Sequence, residues 1–220
     1  MSTERVLAVA LLIGSVLLLL QFGPGAIRSW QIYAGTGKRR QEDAHGAAPP
    51  APQSVVDRAG ALETLGYHRL GETRLALPTG VRFGWIVAAE DVESYAIIVP
   101  SPRAPGLTGV YSAWTDGTWL CTMHPYGEGV DRGTLHVRIV SASLGEAVLA
   151  HRAGLEQFKR THGPPRPIRT MPDMLALDAD YRTRFGGSRL LPITMRIVTP
   201  ALISAVIAVL SVVLLVVFRP

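Results

Sequence analysis

Two uninterrupted apolar runs, one near each end, dominate the pattern of hydrophobic and polar positions along the chain. The runs from Val6 to Phe22 and from Val198 to Phe218 contain no charged residue. A helix rises about 1.5 Å per residue, so roughly 17 to 25 apolar residues cross a hydrocarbon core about 30 Å thick. The second run is long enough, and the first becomes so if its helix continues to Ile27. The pattern predicts transmembrane helices within residues 1–27 and 198–220.

A cleaved signal peptide is the alternative interpretation of the first run. The run is long for the apolar region of a signal peptide, and Gly-Pro-Gly-Ala follows it instead of an Ala-x-Ala cleavage site. The sequence therefore favours an uncleaved membrane helix.

The middle of the chain has the composition of a water-soluble domain. Residues 28–53 are interpreted as a juxtamembrane segment and a Pro/Ala-rich linker, and residues 188–197 as a second juxtamembrane segment. The soluble domain is expected at residues 54–187, a length suited to one hydrophobic core.

Periodicity within this domain predicts helices at about 55–65, 144–161 and 173–185. β-Rich runs bounded by turn residues predict six strands: 67–77, 81–89, 94–99, 108–115, 118–123 and 134–141. Short turns between consecutive strands favour antiparallel pairing. The predicted fold class is α+β: an antiparallel sheet of five to six strands with packed helices, inserted between two transmembrane helices.

Capping boxes mark the expected starts of two helices. Ser54 with Asp57, and Ser143 with Glu146, have the Ser-x-x-acid spacing in which the serine oxygen accepts a hydrogen bond from a first-turn amide.

Asp116-Gly117 between two β-rich runs predicts a two-residue hairpin turn. This turn would pair Thr115 with Thr118. The alternation of side chains along strands would then place six residues on one face of the sheet: Val110, Ser112, Trp114, Trp119, Cys121 and Met123.

The positive charge is concentrated beside the apolar runs, and arginine supplies nearly all of it, since Lys38 and Lys159 are the only lysines. Eight basic residues flank the runs on the side of the central domain: Arg28, Lys38, Arg39, Arg40, Arg182, Arg184, Arg189 and Arg196. The outer tails offer Arg5 and Arg219. Because basic residues favour the cytoplasmic side, the count predicts a cytoplasmic domain with both termini outside. The single cysteine, Cys121, suits the same reducing compartment. The preference for arginine is typical of GC-rich bacterial genomes, which indicates a bacterial inner membrane.

The segment after the first run is a candidate lipid interface. Trp30 and Tyr33 suit the headgroup region, and the neighbouring basic residues either contact anionic lipid or only fix the topology. The lipid-contact candidates are Arg28, Trp30, Tyr33, Lys38, Arg39 and Arg40. Since the bilayer explains the basic residues, nucleic-acid binding is not predicted.

Small residues recur at helical spacing in both apolar runs. The helix-packing candidates are Ala10 and Gly14 in the first run, and Ala201, Ser204, Ala205, Ala208 and Ser211 in the second. Small side chains let helix backbones approach closely in lipid. The stripes either join the two helices of this chain, bind another protein, or reflect the ordinary composition of membrane helices.

Candidate chemistry in the domain is sparse. Trp85, Trp114, Trp119 and His151 could line an apolar ligand pocket, or could simply belong to the core. Cys121 and His124 have a Cys-x-x-His spacing, with no second ligand pair for a metal and no further catalytic motif. No catalytic residue, metal or cofactor is predicted.

The preferred function is therefore non-enzymatic: an accessory, scaffolding or assembly subunit of a larger membrane protein complex. The reason for preferring this role is that two spans lacking buried charge are unsuited to form a transport path by themselves. The predicted partners are the bilayer and other membrane protein subunits. Two alternatives stay open: a membrane-tethered sensor binding a small apolar ligand in a Trp-lined pocket, and a membrane-anchored Cys/His hydrolase.

Overall fold

The computed structural model describes residues 3–36, 40–77, 80–101, 106–127 and 129–217. The chain divides into two compact units. One contains helix α1 (Thr3–Thr36) and the part of helix α4 (Met171–Val217) that begins at Arg182. The other contains residues 40–76 and 80–181.

The second unit is an α+β domain. Its elements in chain order are β1 (Glu42–Asp43), α2 (Gln53–Glu63), β2 (Tyr67–Leu77), β3 (Gly80–Ala89), β4 (Tyr95–Val99), β5 (Leu107–Ala113), β6 (Trp119–His124), β7 (Val130–Arg132), β8 (Leu135–Ile139), α3 (Leu144–His162) and the start of α4. Each of the six predicted strands is present, with ends within two residues of the expected ones.

The sheet is mixed, which corrects the prediction of a purely antiparallel sheet of five or six strands. Eight strands lie in the order β1-β2-β3-β4-β5-β6-β8-β7 within the described part of the chain. β8 pairs with β6 in parallel, with Trp119 opposite Leu135, and antiparallel β7 forms the edge. The prediction missed β1 and β7 because strands of two and three residues are too short to show a period.

Helices cover both faces of the sheet. On the first face, Trp85, Val87 and Ile98 pack against Val55 of α2 and Val148 of α3. We call it the α3 face. The opposite face lies under the first turns of α4, where the rings of Trp119 and Tyr181 have their centroids 5.1 Å apart. We call it the α4 face.

The β5–β6 hairpin corrects the predicted register by one residue. Ala113 lies opposite Trp119, and the amide of Trp114 donates to the carbonyl of Thr118 at 2.9 Å. The loop thus has three residues, ending in Gly117 at φ 88°, where a glycine avoids a Cβ clash. Asp116 accepts a hydrogen bond from the amide of Thr118 at 2.9 Å, which stabilises this loop.

One of the two predicted capping boxes forms. The amide of Glu146 donates to Ser143 Oγ at 3.1 Å at the start of α3. By contrast, α2 begins after Pro52 without a side-chain cap, so the box at Ser54 is wrong. Proline at this position already lacks the N–H group that a helix start leaves unpaired.

The prediction of a separate helix at 173–185 is also wrong, because α4 is one continuous helix of 47 residues. It passes through Gly186-Gly187 and Pro192. A helical glycine costs only about 1 kcal/mol relative to alanine, and membrane helices tolerate proline.

Two helical segments are long and apolar enough to cross a membrane: Val6–Gln31 and Thr194–Val217, with mean hydropathies of 2.5 and 2.9. Most of their large apolar side chains are exposed; Leu20 is 71% exposed. Both properties are compatible with membrane insertion.

Candidate functional site

The structure separates the residues predicted to form a Trp-lined pocket. Trp85 is buried among the residues between the sheet and α2. Trp114 packs against Leu120 and Leu155 beneath α3, whereas Trp119 lies on the opposite, α4 face. The corrected hairpin register explains this separation, since shifting one strand by one residue moves its side chains to the other face.

His151 is fully buried on α3 and is hydrogen-bonded at both ring nitrogens. Nε2 lies 3.0 Å from Ser112 Oγ on β5, and Nδ1 lies 3.1 Å from Thr122 Oγ1 on β6. Ser112 Oγ also donates to the carbonyl of Glu93 at 2.8 Å. Because that bond uses its single hydroxyl proton, Nε2 donates to Ser112 and Nδ1 accepts from Thr122.

Burial lowers the pKa of His151 to about 3, and the charges of Arg138 and Arg152 act in the same direction. The imidazole is therefore neutral near pH 7. A neutral, fully hydrogen-bonded histidine without solvent access joins α3 to two strands, which is a structural role.

The geometry does not assemble the Cys/His arrangement. Cys121 is fully buried, and its side chain lies on the α4 face. His124 is three residues further along β6 and therefore points to the α3 face, where Nδ1 lies 2.9 Å from the carbonyl oxygen of Val140. Within the described ranges, no group of three or more His, Cys, Asp or Glu side chains could hold a metal ion.

A surface groove of about 410 Å³ lies where α3 leaves β7 and β8 uncovered. His136 and Arg138 of β8 and Asp131 of β7 line it together with Phe158 of α3. His136 Nδ1 lies 2.5 Å from Asp131 Oδ1, and the His136 ring meets Phe158 edge-on, with centroids 4.8 Å apart. We call this the β8 groove.

A second histidine–carboxylate pair lies beside the same phenylalanine. His162 Nδ1 is 2.7 Å from Asp116 Oδ2, and the His162 ring stacks on Phe158 at 5.6 Å. The Thr118 amide, and after it His162, lower the pKa of the Asp116 carboxyl. In both pairs the carboxylate contacts Nδ1, so Nε2 is the ring nitrogen left to bond a ligand or water.

Sequence reasoning missed these pairs. The members of one are five residues apart and those of the other 46 apart, so only the β7–β8 pairing and the packing of α3 bring them together. No local spacing signals either pair.

The small residues of the two apolar helices differ in exposure. On α4, Ser204 and Ser211 are 3% and 2% exposed; Ala201 is buried as well, and Ala205 and Ala208 are partly buried. On α1, Ala10 and Gly14 are exposed. Among the residues of that helix whose burial the structure describes, the buried small ones are Ala8, Ser15 and Ala26. That either stripe binds another helix stays a prediction.

The candidate lipid contacts lie at the end of α1 and just beyond it. Arg28 and Arg40 are exposed, and Trp30 is 50% exposed. The rings of Trp30 and Tyr33 lie 5.5 Å apart. The other two candidates, Lys38 and Arg39, lie outside the described residues.

No family model, curated protein or solved structure matches the chain.

Proposed function

We propose that the protein is a non-enzymatic accessory, scaffolding or assembly subunit of a larger membrane complex, anchored in the bilayer through α1 and α4. The observation that carries the proposal is the exposure of two long apolar helices, which leaves wide surfaces for lipid and for other membrane helices. In the domain, Cys121 and His151 are fully buried in the core, which favours structural roles for them over catalytic ones.

The distribution of charge supports membrane anchoring. Residues 1–39 and 182–220 together carry nine Arg or Lys residues against a single acid, Glu4. Residues 40–181 carry 13 basic and 16 acidic residues. Positive charge thus accompanies the apolar helices, where anionic headgroups would stabilise it.

We also propose that the domain faces the cytoplasm of a bacterial cell, with both termini outside the inner membrane. Protease added to sealed, right-side-out cells should leave the domain intact and digest it only after lysis. Digestion in sealed cells would mean that the orientation is inverted.

The subunit role is tested by extraction in mild detergent, followed by mass spectrometry of the co-purifying chains. We expect other membrane proteins at a reproducible stoichiometry, with this chain recovered in turn when such a partner carries the tag. Recovery of this chain alone, under conditions that keep other membrane complexes intact, would contradict the proposal.

A second candidate function, a membrane-tethered sensor, is favoured by the β8 groove. Its occupant would contact His136 Nε2, the guanidinium of Arg138 and the ring of Phe158. Ligand-induced changes in the NMR signals of these residues, absent in an Arg138→Ala variant, would favour the sensor over the subunit.

A further inference from the structure

Helix α1 has a second face, opposite the one that is buried within the chain. Ala8, Ser15 and Ala26 are buried, and their separations of seven and eleven residues place them on one side of the helix. At 100° per residue, the heptad stripe that contains Gly14 and Gln21 lies on nearly the opposite side of the helix. All of this second stripe is exposed: Ala10, Gly14, Leu17, Gln21 and Arg28. We call it the Gln21 face.

Gln21 places a polar amide within the proposed span. It lies about 7 Å along the axis from the midpoint of the apolar stretch Val6–Ile27, and thus inside a hydrocarbon core about 30 Å thick. Its side chain is exposed, and within the described part of the chain no hydrogen bond to its amide is found. Hydrocarbon offers no water to replace such a bond, so an unpaired amide there is unfavourable.

Three serines within the two spans, Ser15, Ser204 and Ser211, bond instead to the backbone of their own helix. The hydroxyl of Ser15 donates to the carbonyl of Leu12 at 2.9 Å, and that of Ser204 donates to the carbonyl of Pro200 at 2.8 Å. A glutamine amide has two donors and an acceptor at the end of a longer side chain, which suits a partner on another helix.

Gly14 gives an independent indication on the same face. A Cβ placed there would meet no atom within 4 Å, so packing inside the chain does not require a glycine. Glycine is unfavourable in a helix, and its advantage in a membrane is that it lets a second backbone approach closely. Gly14 lies two turns from Gln21, and Ala10 extends the small surface by one more turn.

We propose that the Gln21 face is a homodimer interface, in which α1 packs in parallel against α1 of a second copy of this chain. A two-fold axis along the membrane normal places identical residues at the same depth. The amide of Gln21 would then meet the same amide of the partner, and each can both donate and accept. The two Arg28 side chains lie near the end of the span, where crossing helices diverge and headgroups screen charge.

This inference rests on the proposed membrane insertion. Cysteine cross-linking in native membranes tests the dimer interface at two leucines of α1. Leu17 lies on the Gln21 face and is 61% exposed; Leu20 lies off that face and is 71% exposed. Oxidation should give a disulfide-linked dimer of Leu17→Cys and little or none of Leu20→Cys. The unmodified chain, whose Cys121 is buried, supplies the background.

Substitution of Gln21 measures the contribution of the amide. Gln21→Leu keeps the helix apolar, and it should weaken dimerisation in bilayers about threefold to tenfold, as one interhelical hydrogen bond would. Gln21→Asn retains an amide and should recover part of the loss. The dimer fraction is measured by single-molecule photobleaching at decreasing protein-to-lipid ratios.

Three results would overturn the inference: equal cross-linking at both leucines, a Leu17→Cys adduct of another size that reveals a different protein, or unchanged dimerisation of Gln21→Leu. Carbonate extraction distinguishes these failures from failure of the proposed function. A chain that resists extraction but stays monomeric refutes only the dimer, whereas a chain that carbonate releases refutes the membrane anchor and the dimer with it.

Discussion

Replacement of His151 by glutamine should change the pH dependence of the stability of the domain. The imidazole is held neutral between Ser112 and Thr122, and its pKa of about 3 lies well below the usual value of 6.5. Above pH 6.5 the ring is neutral in both the folded and the unfolded chain, so it adds no pH dependence. As the pH falls below 6.5, the unfolded chain gains a proton that the folded chain excludes, and stability is lost.

The loss is large enough to measure. Linkage gives a loss of about 2 kcal/mol in the free energy of unfolding between pH 7 and pH 5, which grows to about 4 kcal/mol at pH 3. His151→Gln cannot take up this proton, so its stability should be flatter between pH 7 and pH 5 by about the same 2 kcal/mol. At pH 7 the variant should itself be less stable by about 1 to 3 kcal/mol, because glutamine cannot reproduce both ring hydrogen bonds.

Thermal unfolding of the full chain in mild detergent, followed by near-UV circular dichroism, measures both effects. His68→Gln is the matched control, since His68 is exposed, and it should retain the wild-type pH dependence. If His151→Gln and wild type lose stability in parallel from pH 7 to pH 5, the imidazole is not held neutral and the hydrogen-bond assignment is wrong.

Two further substitutions test the packing and the caps, with thermal unfolding as the measurement. Gly109→Ala should destabilise the domain by about 1 to 3 kcal/mol, because a Cβ there would come within 2.5 Å of the hydroxyl of Tyr111; Gly60→Ala, where a Cβ meets nothing within 4 Å, should be neutral or stabilising. Equal stability of these two variants would contradict the crowding argument. Ser143→Ala should cost about 1 kcal/mol through loss of the cap, whereas Ser54→Ala should cost nothing measurable, since α2 has no side-chain cap. A loss of the same size at both serines would mean that α2 is capped after all.

Local pattern was sufficient for the six longer strands of the domain and for helices α2 and α3. β2 spans Tyr67–Leu77, as its run of strand-forming residues predicts, and α3 begins at the predicted serine cap. The arrangement of the strands was not accessible in the same way. The parallel pairing of β6 and β8 depends on β7 lying outside β8, and a three-residue edge strand has no pattern of its own.

The candidate site shows what a one-residue difference in register does. Asp-Gly is compatible with both a two-residue and a three-residue loop, and the choice decides whether Trp114 and Trp119 share a face. The sequence pattern favours the shared face, on which the tryptophans could either line a pocket or simply belong to the core. The longer loop places the two rings on opposite faces. The β8 groove, which long-range contacts assemble, instead places polar side chains beside the ring of Phe158.

His151 in the core of the domain and Gln21 in the proposed membrane span are both polar side chains away from water. Each is a polar residue on an element whose neighbours are largely apolar, and each needs hydrogen-bond partners once water is excluded. The domain supplies them for His151 through Ser112 and Thr122, so its presence is explained within the chain. For Gln21 the described chain supplies no such partner, although Ser15, Ser204 and Ser211 are bonded to the backbone of their own helices. The same reasoning that makes His151 structural therefore directs the search for the partner of Gln21 to a helix outside this chain.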